Sequence, residues 1–259
     1  MTRGGAGRDA RRLVDRPWPE VGRPVLLVPL GSTEQHGPHL PLDTDAAVAS
    51  VVCDALAERL VSAGVDAAVA PAVPYGASGE HQDFPGTISI GTEALTMLLV
   101  EYGRSACEWA ARVVFVNGHG GNVEALATAV PKLIAEGRAA AWLPCVAERS
   151  DPPGDPHAGR TETSLMLATE PERVRADRIE PGNDAPLAEL MAELRAGGVR
   201  RVSPNGVLGD PRGATAEEGR RLLEAIAAHA WSRLERGVVD SRGCLVAAAG
   251  PSARPGAAS

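Results

Sequence analysis

Four short, largely apolar runs alternating with stretches of helical periodicity constrain this chain most. PVLLVPL (24–30) reads as a buried strand by its unbroken apolar character, and VDAAVAPAV (65–73), ARVVFV (111–116) and AAAWLPCVA (139–147) read as further strands. TISI (87–90) is a short fifth candidate. Helical patterns cover 45–64, the stretch TEALTMLLVEYGRSACEWAARV, 123–136, 161–169, 185–196 and a last segment running to about Arg236. In the second of these, Leu95, Leu98, Leu99, Tyr102, Ala106 and Trp109 share one face. In the last, Thr215 and Glu218 have the spacing of a capping box, and Leu223, Ile226, Ala230 and Leu234 form the apolar stripe. Strand, loop and helix in alternation predict an α/β fold, a mostly parallel sheet flanked by helices on both faces.

In such sheets ligands sit beyond the carboxyl ends of the strands. That turns attention to the loop GSTEQHGPHLPLDTD (31–45), which follows the first strand and carries Glu34, His36, His39, Asp43 and Asp45. Two residues apart in extended chain, Glu34 and His36 point the same way. Asp43 reads as a helix N-cap. Asp45 has the same plain alternative, but its carboxylate can also turn back to the mouth. His119 lies in NGHGGN after the ARVVFV strand, either as a solvated histidine on a glycine-rich turn or as a ligand over the sheet edge. A phosphate cradle is disfavoured, because G-x-x-x-x-G-K-[ST] and its lysine are absent.

DPHAGRTETSLML adds His157 and Glu162, the latter also readable as a first-turn carboxylate meeting the helix dipole. YGASGEHQDFPGTISIGT adds Ser78, Glu80 and His81 as substrate contacts, with His81 supporting the ligands from behind. His39 is read as structural, and His229 as packed on the last helix. Four loops each carry a metal-capable group to one rim. No G-x-S-x-G and no reactive-looking cysteine appears, which leaves metal-activated water as the leading chemistry.

Composition narrows the setting. With 259 residues and 44% hydrophobic side chains, the chain is long and apolar enough for one large core. A net charge of -7 argues against a nucleic-acid surface. The four cysteines are scattered, without a CxxC pair, which fits a reduced, cytoplasmic compartment. No signal peptide and no run of the roughly 18 apolar residues needed for a membrane span is present. Residues 1–20 read as a mobile N-terminal arm, 21–240 as a single domain and 241–259 as a flexible tail.

GSTEQHGPHLPLDTD, GEHQDFPGTISIGT, VNGHGGN and HAGRTETS, in that order, resemble the creatininase family of metal-dependent amidohydrolases. The match is strong over about 24–170. YGASGEHQDFPGTISIGTEALTMLLVEYGRSACEWAARVVFVNGHGGN and SPNGVLGDP are most similar to the branch of that family serving mycofactocin biosynthesis. The resemblance implies a three-layer sandwich and two divalent metal ions per chain, Zn, Fe or Mn. Asp45 would be shared, Glu34 and His119 would complete one site, and His36 with a glutamate the other. Creatinine-hydrolysing members carry that glutamate two residues after the NGH histidine. Here that position is Gly121, and Glu162 takes its place. His157 matches the family's catalytic histidine. The branch implies a ribosomally made precursor peptide as substrate, cut to release its modified C-terminal Val-Tyr core. The family also implies a homo-oligomer, a hexamer or octamer. A small-molecule amidohydrolase acting on creatinine-like or formamide substrates, and a non-catalytic metal-binding protein, are the alternatives.

Overall fold

The computed structural model describes residues 11–147 and 155–247. Four parallel strands form one sheet in the order β2-β1-β3-β4: β1 Val25–Leu30, β2 Ala67–Val69, β3 Arg112–Asn117 and β4 Ala140–Pro144. Six helices follow the expected alternation: α1 Thr44–Ser62, α2 Gly91–Ala106, α3 Val123–Ala135, α4 Arg160–Thr169, α5 Leu187–Val202 and α6 Ala216–Arg236. The two-residue side-chain period splits the strands between two cores. Leu26, Val28, Leu30, Val113 and Phe115 pack under α2 and α3. Leu27, Val114, Val116, Ala141 and Leu143 pack under α1, α4 and α6. This is the three-layer α/β/α sandwich read from the alternation.

Several local expectations are corrected. TISI makes no strand; it contributes one antiparallel bridge, Ile88 to Thr33. The second strand shrinks to three residues, because only Ala67–Val69 form a continuous ladder with β1, and Val73 adds an isolated bridge to Leu30. On α2, Leu95 and Leu99 are buried, but Leu98 is 36% exposed. Thr215 does cap α6, accepting from Glu218 N at 3.1 Å. The return half of the capping box is missing: the Glu218 carboxylate binds Arg160 instead, and Thr215 N donates to Ser164 Oγ. Asp43 stands at the N-cap position, but its side chain pairs with Arg173 and caps nothing. The helix expected over 185–196 continues to Val202 past a kink at Gly197 and Gly198, the latter with φ 71°.

Chain near both ends lies along the sheet margins. Arg12 bridges to Val69, and Arg16 Nη2 donates to Ala67 O at 2.6 Å, so residues 11–16 of the expected arm run along β2. Leu245 N donates to Trp142 O at 2.8 Å, so the start of the expected tail runs along β4. Unpaired strand edges invite association, and both are covered here. The remainder of the expected arm and tail lies outside the described residues. No helix among them is long and apolar enough to cross a membrane.

Candidate metal centre

Two glycines bring the loops after β1 and β3 onto the first turn of α1. A Cβ on Gly31 would lie 2.4 Å from Ala46 N, and one on Gly118 would lie 2.4 Å from Asp45 O. Only glycine permits that approach, and it sets Asp45 between the two loops. Asn122 ties in the 74–91 loop, accepting from Ala77 N and donating to Gly31 O, each at 2.9 Å.

The side chains converge as the four-loop reading expects. Asp45 Oδ1 lies 3.1 Å from His36 Nε2, and Oδ2 lies 3.3 Å from His119 Nδ1. Glu34 Oε1 is 3.2 Å from His119 Nδ1, and Glu162 Oε2 is 3.9 Å from His36 Nε2. Glu34, Asp45 and His119 therefore form one donor group, and His36, His157 and Glu162 a second. Glu34, His81 and His157 form a third. Both histidines that flank Asp45 are oriented by their other nitrogen. His36 Nδ1 donates to Glu34 O at 3.1 Å, and His119 Nε2 approaches Ala77 O at 3.3 Å. A neutral ring then turns its bare nitrogen inward, as a metal ligand must.

The electrostatics set buried carboxylates against histidines. Burial opposes the charge on Glu34, but His119, and after it His81 and His157, hold its carboxyl well below the ordinary range. Burial likewise opposes an imidazolium at His119, which Glu34 and Asp45 nevertheless push well above its usual value. Burial raises Glu162 to about 7 against the pull of His36. For His157 burial dominates, with His36 and His81 adding to it, and the ring is held well below 6.5. Among the described residues, both oxygens of Glu34 and Oδ2 of Asp45 are buried and accept no hydrogen bond. A buried polar atom left unpaired costs roughly 1–3 kcal/mol, more for a charged group. Divalent ions between these donors would satisfy all three oxygens, and the imidazole–carboxylate set suits Zn, Fe or Mn.

Other expected residues sort by position. Glu80 and His81 line a cavity of about 1160 Å³ that opens on the cluster, together with His157 and Glu162. Ser78 does not line it. It is fully buried, bonded to Ser32, with its hydroxyl 3.4 Å from His119 Nε2. His81 is nearer the centre than expected, with Nε2 3.3 Å from Glu34 Oε1. His39 ties the loop to α4 through Thr163 Oγ1 at 2.8 Å, and His229 is buried on α6. A Cβ on Gly121 would meet Ala77 O at 2.3 Å, His119 Nε2 at 2.4 Å and Glu80 Oε1 at 2.9 Å, so this backbone leaves no room for a glutamate there. Gln35, which the sequence reading passed over, touches both His81 and His157.

A parallel α/β sandwich with a buried imidazole–carboxylate cluster at the carboxyl ends of its strands defines a metal-dependent hydrolase. The chain matches the creatininase (creatinine amidohydrolase) family over residues 16–234, and it belongs to that family. It is 56% identical over 223 residues to the mycofactocin precursor peptide peptidase of Mycolicibacterium smegmatis, covering 86% of this chain and 89% of that one. Among solved structures, a single-site mutant of creatininase superposes with TM-score 0.70 at 28% identity, covering 86% and 97% of the two chains. A structure described as "Creatininase Mn" gives TM-score 0.67 at 26% identity, covering 84% and 95%.

Proposed function

We propose that the cluster holds two divalent metal ions, with Asp45 shared, Glu34 and His119 on one side and His36 and Glu162 on the other. The observation that carries this is the buried oxygen set: Glu34 and Asp45 offer acceptor atoms without a formed hydrogen bond, faced by ring nitrogens of His119 and His81 at 3.2–3.3 Å. When bound, such a pair of ions supplies Lewis acidity at an amide carbonyl and lowers the pKa of water. The protein's own part is to orient and to move a proton. His157, buried beside Glu34 and kept neutral by its surroundings, takes a proton from the attacking water and passes it to the departing amine. Glu80 and His81, on the cavity wall, face the bound chain.

The substrate we infer is a precursor peptide whose modified C-terminal Val-Tyr core is released. The relative from Mycolicibacterium smegmatis supports this, and so does a cavity of about 1160 Å³, which has room for a peptide segment. Metal-loaded protein incubated with the modified precursor, creatinine and a formamide is expected to release only the dipeptide core, read by mass spectrometry. Creatinine turnover without peptide cleavage would move the protein to the small-molecule reading.

The same reading makes it a cytoplasmic homo-oligomer of six or eight chains. The four cysteines are free, as a reducing compartment leaves them. Light scattering should find a mass several times the 26.8 kDa of one chain; a monomer would end that part of the proposal.

A further inference from the structure

The segment SPNGVL (203–208) has no part in the chemistry above, yet it closes on the cluster. Ser203 Oγ donates to Val207 O at 2.7 Å, and Asn205 Oδ1 accepts from Val207 N at 3.1 Å, which makes the turn rigid. Gly206 has φ 83°, and a Cβ there would lie 1.9 Å from Gln35 Oε1. Only glycine fits, and its carbonyl is pressed onto the Gln35 amide.

That amide has one possible orientation. Oε1 accepts from Gly37 N at 2.9 Å, while Nε2 donates to Gly206 O at 3.0 Å. Turned over, it would set donor against donor and acceptor against acceptor. Nε2 has one hydrogen left and two rings in reach, His81 Nδ1 at 2.9 Å and His157 Nε2 at 3.0 Å. His157 Nε2 also lies 2.8 Å from the backbone oxygen of Gln35, which can only accept. His157 Nε2 must therefore carry a proton, and a protonated ring nitrogen cannot accept another hydrogen bond. The remaining amide hydrogen goes to His81 Nδ1.

We propose that Gln35 is a positioning residue that fixes the tautomers of both histidines. His157 is the Nε2–H tautomer, and its working nitrogen is Nδ1, which faces Glu34 Oε1 at 3.8 Å. His81 accepts at Nδ1 and turns an Nε2–H toward Glu34 Oε1, 3.3 Å away. In turnover an N–H bond forms at Nδ1 as water loses its proton, and the same bond breaks as the amine leaves. The ring ends as it began. This consequence rests on the peptidase reading above; the tautomers do not.

The test labels histidine with ¹⁵N in metal-free protein and reads which ring nitrogens bear hydrogen. Wild type is expected to show Nε2–H for His157 and His81. Gln35→Glu puts an acceptor where the donor stood, so His81 should acquire a proton on Nδ1, while His157, held by the backbone oxygen, keeps its own. In Gln35→Met, His81 should lose its single tautomer. A proton on Nδ1 of His157 in wild type, or an unchanged His81 in Gln35→Glu, overturns the proposal. Should the variants not fold, the wild-type spectrum alone decides it. In loaded enzyme, Gln35→Met should lower kcat by about tenfold or more with KM little changed. The expected tautomers in a protein that cuts no peptide would support the positioning role and refute the peptidase reading.

Discussion

The Cβ that Gly118 lacks would sit 2.4 Å from the carbonyl oxygen of Asp45. Gly118 N also donates to Leu30 O at 2.8 Å, so the loop cannot retreat without breaking the junction of β1 and β3. Gly118→Ala must therefore push the first turn of α1 outward and carry the Asp45 carboxylate away from His36 and His119. We expect a loss of roughly 1–3 kcal/mol, the usual range for overpacking, together with lower metal content. Thermal melts and elemental analysis of the same preparation check both. An unchanged melt with full metal would mean the contact is softer than described.

Asp45 turns one oxygen to His36 and the other to His119, so under the two-ion proposal it should govern the count of ions and not merely their affinity. Fully loaded wild type is expected to hold close to two divalent ions per chain, and Asp45→Ala well under one. Glu34→Gln should hold fewer ions than wild type but more than Asp45→Ala, since it keeps the Asp45 carboxylate that the two ions would share. A wild-type stoichiometry of one, unchanged in Asp45→Ala, would end the binuclear assignment.

Removing the metal should reverse the response of stability to alkali. In metal-free protein, burial works against a charged His36, but Asp45, then Glu162 and Glu34, lift it from 6.5 to about 10. A folded-state pKa raised above the unfolded one stabilises fully below 6.5, and that contribution disappears as pH rises toward 10. The melting temperature of metal-free protein should thus decline from about pH 7 to pH 10. Metal ligation needs the neutral ring, so in the presence of ion the same rise in pH strengthens binding and holds the fold. Melting curves in chelator and in excess metal, taken across this range, should diverge. Parallel curves would remove His36 from the ligand set.

What the sequence made legible follows from how local each signal is. The central strands β1 and β3 could be read because both faces are buried and their apolar runs are unbroken. β2 could not be bounded: its expected run extends beyond Val69, but the continuous ladder breaks there and pairing resumes only at Val73 opposite Leu30, a property of the partner strand. Glu34, His36, Asp45, His119 and Glu162 were legible as residue types in loops and first helical turns at the carboxyl ends of the strands. Gln35 was not, because its importance comes from Gly206, 171 positions away, and a glutamine in a polar loop carries no local mark of such a partner. The half-formed cap of α6 failed for the same reason. Glu218 has the right spacing for Thr215, but Arg160, 58 positions away, offers its carboxylate a charged partner.

Proton transfer and metal binding can be separated within the single segment HAGRTETS. His157 lies in reach of Glu34 at 3.8 Å and belongs to two of the three donor groups, yet its Nε2 is engaged by Gln35 O. Glu162 approaches His36 at 3.9 Å, with Oε2 also accepting from Ala158 N. If His157 serves the proton and Glu162 the ion, His157→Ala should keep both ions and still bind the peptide. Its turnover should fall by roughly 10²–10⁴-fold, the usual contribution of a positioned acid–base group. Glu162→Ala should lose one ion and activity together. Elemental analysis beside single-turnover cleavage of the modified peptide then gives opposite metal contents at similarly poor rates. Loss of metal in His157→Ala, or two retained ions in Glu162→Ala, would mean that the two residues exchange these roles.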